Sequence, residues 1–202
     1  MAIDQQTAYA LAARGPDGLP AGGRTKDSVR FWRERRFDDL ECLKARFSRH
    51  SYAPHVHDTF AIGVILAGAE AFRYRGARHV APAGSLVAVN PDELHDGAPA
   101  QDSFAYRLLY PSVALVQRLA DELADRPAGF PAFTRPVNDD PEVARLLSRA
   151  HSLMETGADA LAVAQAFTAA DLLADMDDNA ILNLDDISLI AAAFTAGCPR
   201  HP

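Results

Sequence analysis

The stretch from His55 to His95 decides the fold and reads HVHDTFAIGVILAGAEAFRYRGARHVAPAGSLVAVNPDELH. Its apolar or alternating runs are short and are separated by Gly and Pro; they cover residues 59–66, 70–75, 78–80 and 86–89. Short strands separated by frequent turns are typical of an all-β sandwich or barrel. Within this stretch, Pro82-Ala83-Gly84 is predicted to form a type I turn with Pro82 at its second position and Gly84 at its fourth.

The pattern continues on both sides of this stretch. Residues 40–48 alternate in part, and residues 104–110 form the last apolar run before Pro111. After Pro111 the apolar period changes from that of a strand to that of a helix. Asp140-Pro141-Glu142 is a favourable helix start, and a second, largely apolar helix is predicted to begin at Asp159. A helix that is apolar on most sides must be covered on more than one face, and a second copy of the chain would provide that cover.

Composition limits the class of protein. The 202 residues are 49% hydrophobic and carry a net charge of -7, which argues against a nucleic-acid-binding surface because such modules are usually basic. No apolar run is long enough to span a bilayer, and the N-terminus lacks the apolar run of a secretory signal. Cys42 and Cys198 are too few for a disulfide scaffold. We therefore expect a cytoplasmic protein without membrane contacts.

His55 and His57 are two residues apart on a predicted strand, so both imidazoles should face one side. With Gly76, five further residues and then Pro82-Ala83-Gly84, they resemble the cupin pattern. The order of the other motifs resembles the N-terminal sensor and dimerisation domain of AraC-type bacterial transcription regulators over most of residues 30–174. These motifs are Phe31-Trp32, FRYRG at 72–76, NPDELH at 90–95 and RLLYP at 107–111.

This resemblance implies a mainly β, cupin-like barrel (a double-stranded β-helix or jelly roll) followed by C-terminal α-helices. The expected segments are a flexible N-terminal arm (1–28), a ligand-binding barrel (29–111), a helical dimerisation region (112–174) and an acidic tail (175–202). The barrel is expected to bind a small metabolite without transforming it, so no enzyme is expected. Candidate ligand contacts are His55, His57, Arg73, His95, Arg107, Tyr110 and, as a stacking platform, Trp32. Two alternatives stay open: Arg73 on a solvated face, and Tyr110 as a core residue.

A metal-dependent cupin enzyme, of the isomerase or dioxygenase class, is the second hypothesis. By resemblance, catalytic cupins bind a transition metal through two His, a Glu a few residues later and a His after the Pro-x-Gly turn. Here the Glu position falls at Ala61 or Ile62, and the position after the turn is Val87. His95 would complete a three-histidine site only if its loop folds back. We therefore expect the three histidines to be hydrogen-bonded groups or ligand contacts rather than metal ligands.

The acidic tail gives a third hypothesis, a calcium-modulated interaction module. It resembles a single EF-hand-like calcium loop of the dockerin kind, with oxygen ligands at the spacing that calcium needs. The matching residues are Asp175, Asp177, Asn179, Asp186 and, through its carbonyl, Ile181. Ala180 stands where the sharp turn of such a loop calls for glycine. The alternative is an acidic linker in which Asp186 caps the helix that follows.

The resemblance also bears on partners. Full-length AraC-type regulators follow the sensor with about a hundred residues of basic helix-turn-helix modules, whereas here Ala174 is followed by a segment of about 28 residues with a net negative charge. No recognition helix with clustered Arg or Lys can be placed there, so we expect no direct DNA contact from this chain. The expected partners are a small metabolite and a second copy of the chain, paired through the C-terminal helices.

Overall fold

Two long strands organise the fold. The computed structural model describes residues 27–124 and 129–167. In these residues the strands are β1 (Ser28–Glu34), β2 (Leu40–Phe47), β3 (Tyr52–His55), β4 (Ala61–Tyr74), β5 (Ala77–Pro82), β6 (Leu86–Val89), β7 (His95–Tyr110) and β8 (Val137–Asn138). A 3-10 turn, Arg35–Phe37, joins β1 to β2, and the helices are α1 (Val113–Ala124), α2 (Pro141–Glu155) and α3 (Ala160–Phe167).

All strand pairs are antiparallel, in the order β1-β2-β7-β4-β6-β8, with β3 also on β7 and β5 also on β4. Strands β4 and β7 pair along most of their length, from Ile62 opposite Leu109 to Tyr74 opposite His95. Each of them also pairs with two further strands, β4 with β5 and β6, and β7 with β2 and β3, so the two long strands connect all parts of the barrel. The prediction of a mainly β, cupin-like barrel followed by helices is confirmed.

Strand β4 differs from the prediction of two separate strands. Residues 59–66 and 70–75 belong largely to one continuous strand that bends at Gly68, with register shifts on either side of it. Gly68 has a φ of +68°, and a Cβ at this position would overlap the backbone carbonyl of Ser103 on β7. Gly68 therefore bends the strand instead of ending it, because only glycine fits this conformation and this close approach.

The turn after β5 also differs in detail. The backbone N–H of Ser85 donates to the carbonyl of Pro82 at 3.0 Å, so the turn runs from Pro82 to Ser85. Gly84 then occupies its third position, with a φ of +91°. The predicted type I turn is wrong by one residue, because a positive φ at the third position is the requirement of a type II turn.

The apolar residues form two cores on opposite sides of the sheet. The interior of the barrel is filled from alternate positions of the strands, including Leu43, Phe47, Ile65, Phe72, Phe104 and Tyr106. The other positions pack the outer face of the barrel against the helices, including Cys42, Ile62, Leu86, Leu109, Val116, Leu147 and Met154. Alternation along each strand therefore decides whether a side chain faces the interior or the helices.

The predicted helix starts are confirmed where the structure describes them. The carboxylate of Asp140 accepts a hydrogen bond from the backbone N–H of Val143 at 2.9 Å and caps α2, with Pro141 at its first position. Asp159 caps α3 in the same way through the N–H of Ala162 at 2.8 Å. The buried face of α2 packs on the barrel wall of the same chain. None of the helices in the described ranges has the length and apolar character needed to cross a membrane.

Candidate ligand pocket

A pocket lies inside the barrel and is continuous with solvent; its space, with the open solvent at its mouth included, is about 680 Å³. Side chains from four strands (β3, β4, β6 and β7) and the β3–β4 connection line it: Tyr52, His55, His57, Ala61, Glu70, Phe72, Val87, Val89, His95, Asp96, Tyr106, Leu108 and Tyr110. Most of this lining is apolar or aromatic, with a few polar groups that converge. Such an enclosure is typical of a small-molecule site.

Three histidines lie together at one part of this pocket. His55 on β3 pairs directly opposite His95 on β7, and the two ring centroids are 4.3 Å apart. The ring of His57 lies 4.8 Å from that of His55 and 4.9 Å from that of His95. The expectation that His95 must fold back from a loop is wrong, because His95 is the first residue of β7 and the strand pairing places it there.

Backbone carbonyls fix the orientation of two of these rings. Nδ1 of His55 lies 2.8 Å from the carbonyl oxygen of Ala53, and Nδ1 of His95 lies 2.9 Å from that of Glu93. A carbonyl only accepts, so each neutral ring carries its proton on Nδ1 and keeps a lone pair on Nε2. Burial lowers the pKa of His57 to about 3 and that of His95 to about 4. The rings of His57 and His95 are therefore neutral near pH 7.

The three histidines can hold a metal ion, since one ring nitrogen of each lies within 4.8 Å of the others. Imidazole donors suit Zn, Cu, Fe and Ni, and a hydrogen bond from the second ring nitrogen to a carbonyl is usual for histidine ligands. By the resemblance to catalytic cupins, the other two ligand positions fall at Ala61 or Ile62 and at Val87, and of these Ala61 and Val87 line the pocket. Neither side chain can ligate, so the chain supplies three donors, with His95 as the third.

Two pocket carboxylates, Glu70 on β4 and Asp96 on β7, were not predicted from the sequence. A Cβ added at Gly97 would come within 2.7 Å of Oε1 of Glu70, so this carboxylate lies directly over Gly97. Burial, with the charge of Asp96 as a second cause, raises the pKa of Glu70 to about 8. The alternation of β4 could have indicated that Glu70 faces the pocket, because Glu70 is two residues from the inward-facing Phe72.

Among the predicted ligand contacts, the structure places His55, His57, His95 and Tyr110 in the pocket. Tyr110 is buried, its ring lies 5.4 Å from that of His57, and burial raises its pKa well above the usual value. Tyr110 also belongs to the interior core, which agrees with its alternative interpretation as a core residue.

Arg73, Arg107 and Trp32 lie outside the pocket, which corrects their prediction as ligand contacts. Arg73 and Arg107 occupy the positions of β4 and β7 that alternate with the inward-facing ones. Arg73 is exposed, which agrees with the alternative that it lies on a solvated face. Its backbone N–H donates to Oδ1 of Asp96 at 2.6 Å. Arg107 faces α2 and contacts Glu155 at 2.8 Å. Trp32 packs in the helix-side core.

The tail residues of the predicted calcium loop lie outside the described residues, as does nearly all of the predicted arm. These residues are Asp175, Asp177, Asn179, Ile181 and Asp186. Calcium binding by the tail stays a prediction.

An antiparallel barrel with a pocket in its interior and helices on one outer face defines a cupin-type binding domain. The chain belongs to the family described as the AraC-like ligand binding domain, whose profile matches residues 38–170. Comparison with curated protein sequences finds no match.

Several solved structures resemble the chain at low identity. A cupin-like protein from Thermotoga maritima is 17% identical, with a TM-score of 0.40 over 44% of this chain and 70% of that one. A cupin 2 conserved barrel domain protein from Leptotrichia buccalis is 15% identical, with a TM-score of 0.40 over 46% of this chain and 44% of that one. KdgF from a Halomonas species is 19% identical, with a TM-score of 0.37 over 42% and 78%.

Proposed function

We propose that this domain binds a small metabolite inside its barrel, without transforming it, as the sensing domain of a transcription regulator. The observation that carries the proposal is the pocket itself, in which His55, His95 and Glu70 converge within an apolar lining. Membership of the AraC-like ligand binding domain family supports it. DNA contacts would come from another domain or subunit, and the C-terminal helices would pair two copies of the chain.

Strand β7 offers a physical route from ligand to helices. Its residues Tyr106, Leu108 and Tyr110 line the pocket, whereas Arg107 between them contacts Glu155 of α2. A ligand that shifts β7 would therefore also shift the contacts of α2. Such a ligand changes the preferred arrangement only to the extent that it binds the two arrangements with different affinity.

A thermal-shift screen of metabolites tests the proposal, because a ligand that binds only the folded state raises the melting temperature. The control is a matched pair of variants: Val87→Phe fills the pocket, and Val80→Phe places the same ring on an exposed position of β5. A ligand of the barrel should lose its shift in Val87→Phe and keep it in Val80→Phe. An equal shift in both variants would place the ligand elsewhere and contradict the proposal.

A metal-dependent cupin centre is the second candidate, favoured by the three-histidine group. His55, His57 and His95 would hold the ion, which when bound would act as a Lewis acid on a pocket ligand. Zn²⁺ titration of the chelator-treated protein tests this candidate, with His95→Gln against His79→Gln, since His79 lies outside the pocket. One equivalent bound by the unmutated protein and His79→Gln, but not by His95→Gln, supports the metal site. Weak binding that both variants share removes it.

A further inference from the structure

The acidic groups inside the barrel have no basic partner there. Glu70 and Asp96 both line the pocket, and within residues 27–124 and 129–167 no Lys or Arg side chain does. The two arginines that flank the lining positions, Arg73 and Arg107, face solvent and α2 respectively. Because its pKa is about 8, Glu70 is largely protonated at pH 7 without a ligand. A carboxylate or phosphate ligand would find no counter-charge in this pocket, whereas a cation would favour the ionised carboxylate.

Glu70 is the carboxylate that needs a partner. In the part of the chain that the structure describes, Asp96 accepts a hydrogen bond from the backbone of Arg73, but Glu70 forms neither a hydrogen bond nor an ion pair. Its nearest charged influence is Asp96, which is repulsive. An enclosed carboxylate without a partner costs free energy, and such a group in a cleft points to a ligand that supplies the missing partner.

The imidazoles of the pocket favour the same kind of ligand. Nδ1 of His55 and Nδ1 of His95 each face a backbone carbonyl, and burial keeps His95 neutral, so its Nε2 is an acceptor. A protonated amine carries several N–H donors and a positive charge. It can therefore donate to an imidazole nitrogen and also pair with an unpaired carboxylate.

The rest of the lining defines the body of the ligand. Phe72, Val87, Val89 and Leu108 provide apolar walls, and Tyr106 and Tyr110 add aromatic ones. These surfaces favour an apolar chain or ring over a polyhydroxylated one, because polar groups buried against them would lose their hydration. Aromatic faces also attract a cation that lies close to them.

We infer that the ligand of this barrel is a small organic amine, with its ammonium group at Glu70 and Asp96 and its apolar or aromatic body against Phe72 and Val87. This inference rests on the proposed small-molecule function. The inference adds the chemical class of the ligand to that function and names Glu70 as the residue that determines the class.

Three probes of one shape and different charge test the inference. Phenethylamine is cationic, 2-phenylethanol is neutral and 3-phenylpropanoate is anionic at pH 7.5. Each is titrated, with thermal-shift and calorimetric detection and with a chelator present, into the unmutated protein, Glu70→Gln and the control Asp102→Asn. Asp102 is an exposed acid of β7 outside the pocket, so its variant likewise replaces an acid by its amide.

The expected result is binding of phenethylamine at least ten-fold tighter than that of either other probe, weakened at least ten-fold by Glu70→Gln and unchanged by Asp102→Asn. Equal or tighter binding of the alcohol or the acid would overturn the amine class and leave small-molecule binding standing. Binding of the amine that appears only with added Zn²⁺ would assign the recognition to a metal and also overturn the inference. If none of the three probes binds, the amine class is overturned, and the wider metabolite screen separately decides the proposed function.

Discussion

The guanidinium of Arg107 donates a hydrogen bond to Nδ1 of His151 at 2.8 Å and so joins the pocket strand β7 to helix α2. Nε2 of the same ring lies 3.1 Å from the carbonyl of Leu108. Arginine only donates and a carbonyl only accepts, so His151 is the neutral tautomer with its proton on Nε2. The same guanidinium contacts Glu155 at 2.8 Å. One buried cation thus links the barrel to two residues of α2.

Replacement of Arg107 by Met should lower the free energy of unfolding by about 2–4 kcal/mol. The change leaves Nδ1 of the buried His151 without its donor and removes one of the cations around Glu155, and unpaired buried groups of this kind are costly. Lys44 still contacts Glu155 at 3.0 Å, which keeps the expected loss below that of a fully isolated charge. Urea unfolding measures the change.

The control for Arg107→Met is Arg145→Met, which removes an exposed arginine that contacts Glu142 on the surface of α2. Exposed ion pairs contribute little, so this variant should leave the urea midpoint of unfolding nearly unchanged. Similar losses in the two variants would show that the buried network does not hold α2 to the barrel.

Stability should fall with acidity below about pH 6.5 in part because of His151. Burial, together with the charge of Arg107, lowers the pKa of this ring from 6.5 to about 4. Between these two values the unfolded chain binds a proton that the folded chain does not, so the contribution of His151 to stability is lost as pH falls. The expected loss is about 1 kcal/mol per pH unit between pH 6 and 4.5.

Glu155 adds to the acid sensitivity at lower pH. Burial alone would raise its pKa, but hydrogen bonds from Lys44 and Arg107 outweigh burial and hold the pKa at about 2. The stability that this carboxylate contributes is therefore present above about pH 4.5 and is lost as pH falls toward 2.

The variant His151→Gln isolates the contribution of the ring. Other groups that titrate in this range, including His57 and His95, remain in both proteins and cancel in the difference. Urea unfolding at pH 7, 6 and 5 should show the unmutated protein losing its advantage over His151→Gln as pH falls. A difference that stays constant over this range would contradict the role given to His151.

The fold was predictable where short apolar runs are bounded by turn residues or a helix start signal is clear. The apolar runs at 40–48, 86–89 and 104–110 became strands, and the Asp140-Pro141 start became α2. The first half of β7 was not predicted because its sequence, HDGAPAQDS, lacks apolar alternation. That half is a strand because it pairs with β3 and with the far end of β4, and such tertiary pairing outweighs local propensity.

The site was predictable only in part. His55 and His57 both lie in the pocket as predicted, but His57 lies in the β3–β4 connection rather than on a strand, so alternation does not account for its position. Alternation does not say which face encloses the pocket, and for this reason Arg107 was assigned to the ligand although it faces α2. Glu70 was not among the predicted contacts, although its phase with Phe72 places it inside.

Replacement of Gly68 by Ala should destabilise the barrel more than replacement of Gly76 by Ala, by at least about 2 kcal/mol. Both glycines have positive φ, +68° and +76°, so both variants carry the same backbone strain. A Cβ at Gly76 meets nothing within 4 Å, whereas one at Gly68 would overlap the carbonyl of Ser103. The difference between the two variants in urea unfolding therefore measures the close approach of β4 and β7, and equal losses would contradict it.

Replacement of Glu70 by Gln should stabilise the protein while it weakens amine binding. The folded-state pKa of Glu70, about 8, lies above its ordinary value of 4.5, so its ionisation in the folded state opposes folding increasingly as pH rises from 4.5 to 8. Glu70→Gln should therefore melt higher at pH 8 by about 2–6 °C, for about 1–2 kcal/mol, and show little gain at pH 5. The matched Asp102→Asn variant should show no such pH-dependent gain. A Glu70→Gln protein that is less stable at pH 8 would show that the carboxylate has a structural partner, and the loss of amine binding would then no longer identify a ligand contact.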